Sequence, residues 1–112
     1  MKTSLLLAGI LLAGAGAAQA EEMTGRDIAF DRRLGNCLAC HAMTGVPDSE
    51  MPGDIGPPLT NVKQRYPDKA KLRAQIWDAG ANNPRTAMPP FGRHKILTEK
   101  EIDKLTDFVY GL

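Results

Sequence analysis

The chain has 112 residues, enough for one domain, with 14 basic and 13 acidic residues and only two cysteines. This charge balance excludes a nucleic-acid binder, which needs a basic surface to neutralise phosphates, and gives no basis for adsorption to an acidic membrane. The same small cysteine supply excludes a disulfide-stapled scaffold.

Residues 1–20 read as a secretory leader. Lys2 supplies the positive start, Leu5 to Ala15 an apolar run broken by Gly9 and Gly14, and Ala18-Gln19-Ala20 a small-x-small cleavage site. The run is too short and too glycine-rich for a membrane span. Removal after Ala20 leaves a domain over residues 21–112, with neutral formal balance and no membrane anchor. An uncleaved anchor is the alternative.

The first predicted helix covers Thr24 to about Leu34. Thr24 and Asp27 form a capping pair with Asp in place of the usual Glu. Ile28 and Leu34 supply apolar positions, and Gly35 is placed to end the helix. The stretch "GNCLACH", Gly35 to His41, follows, and holds both cysteines of the chain, Cys37 and Cys40, with His41 directly after.

C-x-x-C-H is the attachment sequence of c-type haem. Each residue type has its task. Two thiols add to the two porphyrin vinyl groups. One turn of spacing lets both sulfurs reach one ring edge, and the next residue, His41, is the proximal iron ligand. The competing readings are weaker. A zinc site needs four ligands, and the other histidine, His94, is remote. A thioredoxin-like dithiol needs a βαβ setting, of which there is no sign. A disulfide between Cys37 and Cys40 would close a very small loop for little stability.

Val46 to Leu59 is a loop rich in proline and glycine. Within it "GPPL", Gly56 to Leu59, is a candidate backbone acceptor for the second imidazole nitrogen. A second helix is predicted from Asp68 to Ala79, where Leu72, Ile76 and Ala79 share a face and Gly80 closes. Lys63, Arg65, Lys69, Lys71 and Arg73 read as a solvated face, with a docking patch as the alternative. Ala81 to Ile96 is a second proline-rich loop and contains "AMPPFG". Loops this long in a compact domain call for a reason, such as wrapping a ligand.

The sixth iron position has four candidate donors. Met43 is held on the side of His41. Met88 lies far enough along the chain to cross the haem edge, and Pro89 and Pro90 fix the backbone behind it. Met51 and His94 stay open as alternatives. Trp77 and Phe91 are core or haem-pocket packing residues. The third helix runs from Glu99 to the end, with Thr98 and Glu101 as capping pair and Ile102, Leu105 and Val109 as its apolar stripe. No alternating run supports a strand. The expected class is all-α, helices around one covalent haem with long Pro-rich loops.

"GNCLACH", "GPPL", "NPRTAMPPFG" and "ILTEKEIDKLTDFVYGL" together resemble the class I c-type cytochromes, and within them the SoxX family, the monohaem subunits of SoxAX cytochromes. The resemblance covers about Gly35 to Leu112. It implies an all-α cytochrome c fold whose first and last helices cross. It implies a low-spin haem c with His41 and Met88 as axial ligands, and the Pro57 carbonyl accepting from His41. It also implies a periplasmic heterodimer with a SoxA-like cytochrome, coupling thiosulfate to a cysteine of a SoxY-type carrier. In that assembly, an L-cysteine S-thiosulfotransferase, bond formation belongs to the SoxA haem and its cysteine-derived ligand. This chain, with no third cysteine, would be the non-catalytic subunit, passing electrons to a soluble acceptor cytochrome. A free-standing electron shuttle is the alternative from another functional class, and a ligand-binding sensor haem with displaceable Met88 is a third.

Overall fold

The structure is a computed structural model that describes Gly16, Ala18 and residues 20–112. The leader expected over residues 1–20 therefore lies, except for Gly16, Ala18 and Ala20, outside the described residues. Among the described residues, four helices and two one-turn 3-10 segments follow in order: α1 Gly25–Phe30, a 3-10 turn Cys37–Ala39, α2 Val62–Arg65, α3 Lys69–Trp77, a 3-10 turn Ala79–Ala81, and α4 Glu99–Tyr110. Among the described residues there is no strand, in agreement with the all-α expectation.

Both terminal helices start where their caps dictate. Thr24 and Asp27 form a complete capping box at α1, and Thr98 and Glu101 do the same at α4. Each box satisfies amides that a helix start leaves without partners. α1 is shorter than expected. It stops at Phe30, because Asp31 takes an extended conformation and its carboxylate accepts from the Arg33 amide at 2.7 Å. That local side-chain bond competes with the next helical turn. Gly35 does not act as the C-cap. Its amide instead reaches back to the Ile28 carbonyl at 3.0 Å.

α3 starts at the Asp68 cap and ends at Trp77, two residues before the expected limit. The expected face of Leu72, Ile76 and Ala79 is buried. α2 is a single turn that periodicity could not signal. Its buried Val62 donates its amide to the Leu112 carbonyl at 3.1 Å, which ties it to the chain end.

The core joins Ile28 and Ala29 of α1 to Ile102, Leu105 and Val109 of α4, with Leu72, Ile76, Met43, Phe91 and Leu97 around them. Burying each large aliphatic side chain contributes about 1.5–3 kcal/mol. α1 crosses α4 at Gly25, where a Cβ would sit 2.1 Å from the Lys104 carbonyl oxygen. Only glycine permits that approach. α3 flanks α4 through Lys69–Asp107 at 2.7 Å and Arg73–Asp103 at 2.6 Å. The basic run is thus partly paired with α4 rather than simply solvated, although exposed pairs of this kind contribute only about 0–1 kcal/mol each. No helix among the described residues is long and apolar enough to cross a membrane.

Candidate functional site

The turn after α1 sets up the cysteines. Asn36 adopts a left-handed conformation at φ 46° and redirects the chain. The 3-10 turn Cys37–Ala39 begins at once, and the amides of Cys40 and His41 both return to the Cys37 carbonyl, at 3.1 and 2.9 Å. In a 3-10 turn residues i and i+3 stack, so Cys37 and Cys40 share one side. Both are free thiols. Burial pushes the Cys37 thiol up to about 11. Among the described residues no cluster of three or more His, Cys, Asp or Glu gathers to hold a metal ion.

The loop from Gly53 to Leu59 straps this turn. Gly53, Gly56 and Leu59 donate their amides to the carbonyls of Leu38, Cys40 and Ala42, at 2.9, 2.7 and 2.8 Å. The strap brings the Pro57 carbonyl 2.6 Å from His41 Nδ1. A carbonyl only accepts, so Nδ1 carries the proton and Nε2 keeps its lone pair for a metal. Gly56 backs the ring. A Cβ there would lie 2.3 Å from His41 Cε1. Composition flagged "GPPL" for its acceptor but not for this bare backbone, and only the glycine directly before the acceptor proline hinted at it.

The other candidate donors separate by exposure. Met88 is half-buried and packs against the same apolar core as Cys37. Its amide donates to Thr86 Oγ1 at 3.1 Å. Met43 is sealed in the core at 1% exposure, whereas Met51 is 97% exposed. His94 is exposed as well. The structure thus turns Met51 and His94 to the outside and leaves Met88 facing the interior. Phe91 is buried three residues later, and Trp77 packs half-buried against the core.

These residues fit a covalently held haem. Two free thiols lie one turn apart, an imidazole is fixed with Nε2 available, and a thioether is half-buried on the core. His41 with Pro57 is the arrangement that orients a metal-bound imidazole and raises its basicity.

Comparison with known proteins agrees. The family model described as "Cytochrome C oxidase, cbb3-type, subunit III" matches residues 19–109. The crystal structure of SoxXA from P. pantotrophus superposes with a TM-score of 0.68 at 30% identity, covering 77% of each chain. An uncharacterized lipoprotein of Aquifex aeolicus (strain VF5) is 31% identical over 78 residues, which is 70% of this chain and 37% of that protein. The chain thus spans little more than a third of that relative. The chain belongs to the cytochrome c family that carries the cbb3-type subunit III description, and it is a SoxX-like c-type cytochrome with an electron-transfer role.

Proposed function

We propose that this chain is the electron-transfer subunit of a SoxAX-type pair, located in the periplasm after loss of residues 1–20. The likeness to SoxXA at 30% identity over 77% of both chains carries this reading. Cys37 and Cys40 would hold one haem c covalently, and His41 and Met88 would be its axial ligands. With both positions filled by protein, such a haem passes single electrons without binding substrate, at a potential raised by Met/His ligation.

The protein's own residues support that role. Pro57 fixes His41 through a 2.6 Å bond, which holds the ring still between oxidation states. Met88, half-buried against the core, would supply the opposite ligand. Both cysteines of the chain belong to the attachment turn, so no third thiol can supply a cysteine-derived ligand. Thiosulfate chemistry then falls to a SoxA-like partner, which conjugates thiosulfate to a SoxY-type carrier cysteine. This chain receives the electrons and delivers them to a soluble cytochrome.

The test is recovery of the tagged protein from its native host grown on thiosulfate. A larger c-type cytochrome at equal stoichiometry, and haem reduction by thiosulfate only when carrier protein is added, are the expected results. A lone haem protein at monomer mass, unresponsive to thiosulfate and carrier, would sink the reading and leave a free electron shuttle.

A further inference from the structure

Met88 needs more than its own loop to stay in place. Nothing in the Met88–Gly92 segment is helical, and its neighbours Arg85, Ala87 and Pro89 are exposed. The anchor lies on another element. Trp77 is the last residue of α3, so its carbonyl is one of the four a helix end leaves without an intrahelical partner. The amides of Gly92 and Arg93 both donate to it, at 3.1 and 3.2 Å. The loop that carries Met88 therefore caps α3.

The Trp77 side chain completes the seat. The Gly92 backbone lies directly against the indole, where a Cβ would come within 2.0 Å of Cε3 and 2.2 Å of Cδ2. The ring has little freedom to retreat. It packs against the core, and the Arg73 guanidinium sits 5.6 Å from its centroid. Arg73 is itself held by Asp103 of α4 at 2.6 Å. Beside it, Arg93 reaches Asp78 at 3.5 Å.

From Gly92 back to Met88 the chain is stiff. Pro89 and Pro90 fix two successive φ angles. Phe91 is buried, and its carbonyl accepts from the Leu97 amide at 3.0 Å. A displacement at Gly92 is therefore carried to the thioether rather than absorbed on the way.

We infer that Trp77 and Gly92 form a clamp that positions Met88, with the indole as seat and the glycine as the only residue that fits against it. This rests on the reading of Met88 as an axial ligand. Neither residue touches the iron, so both are positioning residues.

The experiment is a double-mutant cycle on the holoprotein, with Gly92→Ala, Trp77→Leu and the two combined. Three measurements are made on each: the ferric sulfur-to-iron band, carbon monoxide binding to the ferrous protein, and amide hydrogen exchange at residues 92 and 93. Gly92→Ala is expected to lose the band, gain carbon monoxide binding and exchange at least about tenfold faster at these amides, with haem still covalently attached. The double variant, where the smaller side chain makes room for the methyl, is expected to recover the band and the slow exchange.

A band and exchange unchanged in Gly92→Ala would overturn the clamp. So would a double variant no better than Gly92→Ala. The Met88 assignment is checked separately. A band that survives Met88→Ala would overturn that assignment and the clamp with it, whereas a band that vanishes there but persists in Gly92→Ala would overturn the clamp alone.

Discussion

The His41 side and the Met88 side of the site are held by different means. On the His41 side, neighbouring segments grip each other. Residues 37–42 and 53–59 are joined by three backbone bonds and by the Nδ1 bond to Pro57. On the Met88 side the loop leans on a distant helix end, with two amides sharing the Trp77 carbonyl. One side is self-contained, and the other depends on α3 and, through Arg73 and Asp103, on α4. On the proposed assignment, attachment and ligation can therefore fail separately.

The largest break comes from Cys37→Ala or Cys40→Ala. Either should impair covalent attachment, read as loss of haem stain on a denaturing gel. Fully normal covalent haem would contradict the assignment. Next is Gly56→Ala, which forces a methyl to within 2.3 Å of the His41 ring. We expect destabilisation of about 1–3 kcal/mol in denaturant melts, from overpacking, with the His41–Pro57 bond disturbed. A melt equal to the parent's would mean that the strap yields freely and that the His41 side is no stiffer than the other.

Thr98→Ala should be smaller and should touch neither side selectively. Loss of the α4 cap is expected to remove about 1 kcal/mol, or about 4–8 °C of Tm, with the haem spectrum unchanged. A changed sulfur-to-iron band would show that α4 reaches the Met88 side more directly than through Arg73.

The smallest effect is that of acid on α1. The Thr24 hydroxyl and amide hold the Asp27 carboxylate below its ordinary 3.8. A lowered folded value means that its stabilisation is complete above the ordinary pKa and is lost as pH falls through the folded one. Amide exchange at the start of α1 should accelerate, relative to intrinsic rates, below about pH 4, and Asp27→Asn should remove that dependence.

Much of this was legible in the sequence for identifiable reasons. The capping pairs at Thr24 and Thr98 act within three residues, and Ile102, Leu105 and Val109 repeat at helical spacing, so α4 could be placed closely. The Cys37, Cys40 and His41 turn is a contiguous motif. What escaped depends on one local side-chain bond or on partners farther along the chain. The Asp31 carboxylate bonding the Arg33 amide cut α1 short. α2 is too brief for any period and owes its place to Leu112. The contacts of Gly56 with His41 and of Gly92 with Trp77 are made by glycines, which carry no side-chain signal. Exposure separates Met51 from Met88, and nothing in "SEMPGD" marks its methionine as outward.

The crossing at Gly25 also sets an order in time. Its halves, residues 25–30 and 99–110, are the first and last helices among the described residues. Six residues of α1 cannot persist as a helix alone, and contacts between distant segments wait on loop closure. The core over Ile28 and Ile102 thus closes only once α4 has joined α1. Until that moment Cys37 lacks the core against which it packs. α4 is a latch, and the core stays open until it shuts.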